Sequence, residues 1–464
     1  MLTYNFEKVD GPLYEHIYKC LKEDIISGTL QPHEKLPSKR SFAKNNGIST
    51  ITIQNAYDQL ISEGYIYTLP KKGYYVADIE GLRHVPKSEN FSLDIKLPPK
   101  LKEYEIDLSN NRTNPDNFPF SIWAKLLRET ISKKNEELMK PSPTGGIEEL
   151  RIAIANHLKS FRGMLVDPNQ IVIGAGTEYL YGLLIQLLGN DKTYCTENPG
   201  YKKLVQIYAQ NKINCSFADM DLKGITVEGL KSSKAQIAHI SPTHHFPTGI
   251  TMPADRRYEV LAWANEKSGR YIIEDDYDSE FRPNGKPIPP LFSIDGCEKV
   301  IYMNTFSKSL TPTIRISYMV LPASLVNKFY EQLSFYACTV SNFEQYTLAE
   351  FIKRGYFEKH INRMRLYYSR QRKQVLDCIN KSSLKEKCSV IENDSGLHFL
   401  LKLDTKLSDE EIIDSLRKKG IQIRALSEYF LTEEKESAHV FLLNYSNIDI
   451  NKLDYVFKII AEII

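Results

Sequence analysis

Two apolar runs in the second half of the chain stop abruptly at reactive side chains. Tyr271-Ile272-Ile273 gives way to Glu274-Asp275-Asp276-Tyr277, and Val300-Ile301-Tyr302-Met303 to Asn304-Thr305-Phe306-Ser307-Lys308. Short apolar runs bounded by polar residues read as buried strands. One strand end therefore delivers a carboxylate and a phenol, and the other a lysine preceded by a serine. From about residue 106 onward, further strand-length runs (170–173, 236–240, 317–321) alternate with helical stretches (122–139, 147–161, 177–188, 201–210). Such alternation predicts an α/β domain with a mainly parallel sheet covered on both faces. Ligands of such sheets sit at the carboxyl ends of the strands, which is where the reactive residues fall.

The first eighty residues have a different character. Leu13, Ile17, Leu21 and Ile25 recur every four residues and predict one helix ending near Gly28. Pro37-Ser38 reads as a helix start with Ser38 as N-cap, followed by a short helix over about 39–45. Asn46-Gly47-Ile48 is a tight turn, and a third helix over about 49–63 presents Ile53, Ala56, Tyr57, Leu60 and Ile61 inward and Thr50, Thr52, Gln54 and Asn55 outward. Two short strands, 64–67 and 73–76, flank Leu69-Pro70-Lys71-Lys72 as a hairpin with a basic tip. Together these make a winged helix-turn-helix whose third helix suits the major groove of DNA. Arg40 and the wing tip suit phosphates, which fix position rather than sequence.

The net charge of +2 gives no global argument for nucleic acid. The local one is that Lys35, Lys39, Arg40, Lys44, Lys71 and Lys72 face only Asp58 and Glu63 across the same stretch, while Glu15, Glu23 and Asp24 lie on the first helix. The seven cysteines form no Cys-x-x-Cys pair and no run resembles a signal peptide or a membrane span, so a reducing, cytoplasmic setting is expected. Residues 79–105, with Pro86, Pro98 and Pro99, read as an extended connector reaching at about 3.3 Å per residue. The expected domains are thus 1–78, a linker over 79–105, and 106–464.

Residues 11–76 resemble the DNA-binding domain of the GntR family of bacterial regulators. The likeness is carried by Pro12-Leu13-Tyr14, Gly28-x-Leu30-x-Pro32, Lys35-Leu36-Pro37-Ser38-x-Arg40 and Gly64-x-Ile66. It implies DNA contacts from Ser38, Arg40, Thr50, Thr52, Gln54, Lys71, Lys72 and Gly73.

In the large domain, Ile171-Val172-Ile173-Gly174-Ala175-Gly176-Thr177-Glu178 is a strand, a small-residue turn and a helix start, whose amides at Gly176, Thr177 and Glu178 suit an anion. Arg315, after Ser307-Lys308-Ser309-Leu310-Thr311-Pro312-Thr313-Ile314, suits bidentate phosphate contact. A lysine amine for an aldehyde, an acid for a pyridine nitrogen and a phosphate cradle are the groups that hold pyridoxal 5′-phosphate. Burial lowers a lysine pKa and favours the neutral amine. Tyr201, after Pro199-Gly200, suits stacking on the ring. His244-His245 invites a metal, but spacing places no third ligand, and none is expected.

This segment resembles the fold-type I aminotransferases that use pyridoxal 5′-phosphate, and the whole chain resembles the MocR subfamily of GntR-type regulators. The matching motifs are Gly176-Thr177-Glu178, Pro199-Gly200-Tyr201, Phe246-Pro247-Thr248-Gly249, Glu274-Asp275-Asp276-Tyr277-Asp278-Ser279-Glu280-Phe281-Arg282 and Thr305-Phe306-Ser307-Lys308-Ser309-Leu310. The resemblance implies Lys308 as the Schiff-base lysine, Asp275 on the pyridine nitrogen, Tyr277 on the ring hydroxyl and Tyr201 on the ring face. Arg315, Ser307 and the 176–178 turn would bind the phosphate. Phe246 stands where many aminotransferases have Asn, and Lys203 where some amino-acid-sensing relatives have Arg. Arg424 is the candidate for an effector carboxylate. The expectation is a cytoplasmic, homodimeric transcription regulator with DNA-binding heads exchanged between subunits. Its operator binding would respond to pyridoxal 5′-phosphate or to an amino compound forming an external aldimine, and it would control vitamin B6 or amino-acid metabolism genes. The rival is an aminotransferase with an accessory DNA-binding domain, and a residual half-transamination fits either.

Overall fold

The computed structural model describes residues 4, 11–79, 95–98, 102, 104–109, 114–282, 288–391, 396–432 and 439–464. The chain divides into two compact units, Met1–Leu101 and Lys102–Ile464. Most of the expected connector, with Pro86 and Pro99, lies outside the described residues.

The first unit is built on helix α1 (Leu13–Ser27), helix α2 (Lys39–Asn46) and helix α3 (Thr50–Ser62), followed by strands β1 (Ile66–Leu69) and β2 (Gly73–Val76). Ile17, Leu21 and Ile25 are fully buried, as their spacing predicts, whereas Leu13 is partly exposed at the first helical position, where no preceding turn covers it. Ser38 and Ser49 cap α2 and α3, their hydroxyls accepting from the amides of Ser41 (3.2 Å) and Thr52 (3.1 Å). Between these helices Gly47 takes φ +66°, a left-handed conformation that glycine adopts at least cost. Phe42 from α2 and Ile53, Ala56, Tyr57 and Leu60 from α3 close over α1, and Ile66 and Val76 pin the antiparallel β1–β2 pair beneath them. β1 starts two residues later than the sequence suggests because Gly64 turns the chain out of α3 with φ +77°.

The second unit holds an eight-stranded sheet in the order Ile171–Gly174, Ser317–Val320, Val300–Thr305, Tyr271–Asp275, Ile237–Ile240, Thr193–Asn198, Asn214–Asp221, Gly224–Ile225. Pairs from Val300–Thr305 through Asn214–Asp221 are parallel; Ser317–Val320 runs antiparallel to both neighbours, and Gly224–Ile225 is an antiparallel edge. Alternate residues enter different cores: Ile171 and Ile173 on one face, Val172 on the other. Both faces are thus covered, which is why these strands read as continuous apolar runs. A smaller sheet, Cys388–Ile391, His398–Leu403, Val440–Asn444 and Arg424–Ala425, lies toward the carboxyl end.

The helix expected over 122–139 is broken into Phe120–Lys133 and Asn135–Leu138. Lys134 leaves helical geometry (φ −128°), its ammonium drawn to Glu149 at 2.9 Å and over the Tyr346 ring. Asn135 then restarts the helix; asparagine is a poor helix former. Gln170 belongs to a 3₁₀ turn, Pro168–Gln170, capped by Asp167, so the first strand begins at Ile171. Among the described residues no helix is long and apolar enough to cross a membrane.

Candidate functional site: a cavity at the carboxyl edge of the sheet

Strand register gathers the reactive residues. Gly174 pairs with Ser317, Ser317 with Thr305, and Met303 with Asp275, so the ends of three strands and the start of a fourth meet at one edge. There they surround a cavity of about 380 Å³, a size usual for small-molecule sites. Gly176, Thr177, Glu178, Tyr201, Lys203, Asp275, Tyr277, Ser307, Lys308 and Arg315 all line it.

Lys308 rides on a single helical turn, Phe306–Ser309, that begins as soon as its strand ends. Thr305 fixes that turn: its hydroxyl accepts from the Ser307 amide (3.1 Å) and from Ser317 Oγ (2.7 Å). Burial depresses the Lys308 pKa, opposed by the Asp278 and Asp275 carboxylates, which favours a neutral amine. Ser307 Oγ is buried without a hydrogen-bond partner.

The anion turn is held open by Gly176, at φ 93° and ψ 160°, a region essentially reserved for glycine. Any Cβ there would collide with the Arg315 guanidinium. Arg315 reaches the Ala175 carbonyl (3.5 Å) and the Glu178 carboxylate (3.6 Å). Glu178 also pairs with Lys203, so its side chain faces two cations rather than an incoming anion. Lys203 therefore lines the cavity with its ammonium already engaged.

Asp275 has one oxygen engaged and one free. Its Oδ2 accepts from Tyr181 Oη at 2.6 Å and lies 3.7 Å from His239 Nε2; its Oδ1 is buried without a partner. Behind it, Tyr208 Oη lies 2.6 Å from His239 Nδ1. Burial raises the Tyr208 pKa far above the phenol range, so the hydroxyl that meets Nδ1 stays a neutral phenol.

Tyr277 Oη lies 3.1 Å from His244 Nδ1, which is 2.8 Å from Asp278 Oδ2. His245, the second histidine of the pair, bonds Thr248 Oγ1 (2.7 Å) and lies 3.5 Å from Glu197. Burial lifts the Glu197 pKa to about 8 and drops that of His245 to about 3. Tyr201 is half-exposed at the cavity mouth, its ring edge-on to Phe246 (6.1 Å). Arg424 does not line the cavity. It is exposed on a short strand opposite Leu442, which does line it, and lies beside Tyr429.

Sequence reasoning missed Tyr181, His239, Glu197, His398 and Asn444, all of which line the cavity. Tyr181 had a signal: it is one helical turn beyond Thr177 on the helix that caps the sheet, so it must face the strand ends.

On the first unit, Ser38, Arg40, Thr50, Gln54, Lys71 and Lys72 are exposed. Gly73 begins β2, and Lys71–Lys72 form the turn, closed by the Lys72 amide on the Leu69 carbonyl (3.0 Å). Thr52 is half-buried, its hydroxyl 2.8 Å from Ser49 Oγ in the helix cap.

Comparisons with known proteins agree with both units. Residues 13–76 match the model for bacterial regulatory proteins of the gntR family, and residues 105–459 the model for aminotransferase class I and II. The uncharacterized HTH-type transcriptional regulator YdeL of Bacillus subtilis is 38% identical over 90% of each chain. The probable rhizopine catabolism regulatory protein MocR of Rhizobium meliloti is 29% identical, covering 95% of this chain and 91% of its own. The HTH-type pyridoxine biosynthesis transcriptional regulator PdxR of Corynebacterium glutamicum is 29% identical over 88% and 86%. Among solved structures, kynurenine aminotransferase from Pyrococcus horikoshii superposes with a TM-score of 0.68 at 25% identity, covering 78% of this chain and 91% of that one. The chain belongs to the MocR-type regulators of the gntR family, DNA-binding transcriptional regulators in which a helix-turn-helix domain precedes a class I and II aminotransferase domain.

Proposed function

We propose that the large unit binds pyridoxal 5′-phosphate and that its ligand state governs operator binding by the helix-turn-helix unit. One observation carries this reading: Ser307 Oγ and Asp275 Oδ1 are buried without partners beside one cavity. Buried polar atoms are rarely left so, and a phosphate oxygen and a pyridinium N–H are what these two would take. When bound, the cofactor supplies an aldehyde that condenses with amines and a ring that withdraws electrons. Ser307, Arg315 and the amides at 176–178 would bind its phosphate. Asp275, oriented by Tyr181 and His239, would hold the proton on the ring nitrogen. Lys308 would offer its amine, made neutral by burial. Tyr277 would meet the ring oxygen, and Tyr201 would shield one ring face from water. Phe246, with no hydrogen-bonding group, leaves that oxygen to Tyr277.

Two effectors fit: pyridoxal 5′-phosphate itself, or an amino compound that reacts with it. The ion pair that engages Lys203 and the position of Arg424 outside the cavity lining favour the first. So does the relative named for pyridoxine biosynthesis. We further propose a cytoplasmic homodimer with exchanged DNA-binding heads reading two operator half-sites. A ligand shifts such a dimer only by binding its two arrangements with different affinity.

The test is direct. Purified chain saturated with pyridoxal 5′-phosphate gains visible absorbance, and borohydride reduction followed by peptide mass spectrometry places an adduct on Lys308; Lys308→Ala shows neither. Operator affinity then changes on adding the cofactor alone under the first reading, or only with one amine under the second. A colourless protein with no adduct refutes both. Sustained turnover of an amino donor and a keto acceptor at about 1 per second or faster would instead identify an enzyme.

A further inference from the structure

We infer that Ile51 reads thymine, by packing against its 5-methyl group in the major groove. The inference rests on DNA binding by the first unit but not on any cofactor in the second. α3 buries Ile53, Ala56, Tyr57 and Leu60, and the opposite side of the helix carries Ile51, Gln54, Asn55 and Asp58, all exposed, at helical spacing. Ile51 heads this stripe and is 71% exposed. Singly exposed apolar residues are common; the neighbours of this one set it apart. Helix propensity does not favour a β-branched residue there, and it takes no part in the core of the unit. Of the outward side chains that the sequence offers for base contact, Thr50, Thr52, Gln54 and Asn55, Thr52 spends its hydroxyl on the Ser49 cap.

Between the exposed Thr50 at the helix start and Asp58 beyond, the outward face carries one bulky hydrocarbon followed, three and four residues on, by two carboxamides. In the major groove the thymine methyl is the one apolar group on a base edge, and Asn or Gln pairs bidentately with adenine N6 and N7. Exposed cations border the face: Arg40 and Lys44 on α2, Lys71 and Lys72 on the wing. They suit the phosphates flanking such a step. The stripe therefore matches an A·T-containing step, with Ile51 on the methyl and Gln54 or Asn55 on the adenine.

The experiment uses the full chain. Duplexes are selected from a randomised library, and each thymine of the selected site is replaced in turn by uracil, which lacks only the methyl. For wild type, uracil at one position per half-site weakens binding about three- to fivefold per half-site, as expected for one buried methyl. Ile51→Ala weakens binding to the thymine duplex by a similar factor and becomes indifferent to that uracil, while Ile51→Val keeps the sensitivity. Circular dichroism establishes that the variants fold. Wild type indifferent to uracil everywhere, or Ile51→Ala as sensitive as wild type, overturns the role of Ile51 alone. A chain that selects no duplex overturns it together with the DNA-binding reading.

Discussion

Replacing Gly176 by alanine should uncouple phosphate recognition from the rest of the site. Gly176 sits at φ 93° and ψ 160°, where any other residue costs roughly 1–3 kcal/mol. Its missing side chain leaves the space occupied by the Arg315 guanidinium, whose charge-assisted hydrogen bond to a bound phosphate is worth about 1.5–3 kcal/mol. Arg315 is half-exposed, so the lower part of that range applies. In the free protein, an alanine at 176 relaxes by moving the turn; binding must restore it, so the strain appears in the affinity. Taking about 1.5 kcal/mol from each source gives ~3 kcal/mol, or roughly 150-fold weaker binding. The assay is an absorbance titration of apo-protein with pyridoxal 5′-phosphate and, separately, with pyridoxal. Gly176→Ala weakens the first and leaves the second nearly unchanged. In the double variant with Arg315→Ala the losses are less than additive, because the collision partner is gone. Affinity within about threefold of wild type, or equal losses for both ligands, would refute the cradle.

Tyr208→Phe removes the 2.6 Å hydrogen bond to His239 Nδ1 behind Asp275; cofactor affinity should fall about two- to tenfold, and the pH midpoint of the bound chromophore should move, with no change in either ruling out this arrangement. Arg162→Met strips the cation from Asp276, with which it forms a 2.5 Å ion pair at 1% exposure on each side, and leaves the buried carboxylate only the Tyr302 hydroxyl at 2.7 Å among its side-chain partners in the described residues; the loss should be ~3–5 kcal/mol in urea unfolding, and a loss below ~1 kcal/mol would be inconsistent with it. Glu197 has a folded pKa of about 8, above its unfolded value near 4.3, so its contribution is present at low pH and disappears as pH rises through 8. From about pH 5 to 8 the apo-protein should thus lose stability relative to Glu197→Gln and then level off, as read from urea midpoints; parallel curves would show that burial does not raise the Glu197 pKa.

Much of this was legible in the chain because the informative residues are punctuation. Asp275 and Lys308 end apolar runs, Ser38 and Ser49 start helices, and Gly176 breaks a strand from a helix; each is a local signal with a local cause. The cavity's supporting residues carry no such mark. Tyr181 lies within an apolar helix and His239 within an apolar strand, where an aromatic ring or a lone histidine reads as core until the partner across the sheet is known. Strand direction was equally silent: a strand buried on both faces has the same pattern whichever way it runs, so the reversal of Ser317–Val320 left no trace. Thr52 shows the opposite limit: a helical projection turns it outward, but it sits half-buried at the flank of the exposed stripe with its hydroxyl captured by the preceding cap. The break at Lys134 depends on Glu149 and Tyr346, residues no local window includes.

The reversed strand has a consequence for how the site is spaced. Because Ser317–Val320 runs back against Val300–Thr305, the connection between them leaves and re-enters the sheet at the same edge. Lys308 and Arg315 both sit on that single short return, one near each foot. The segment works as a ruler: its length sets how far apart the amine and the guanidinium stand, and hence which ligands can touch both at once. Inserting even one residue between them would change the gauge without altering a contacting side chain, and deletions there should be among the least tolerated in the molecule.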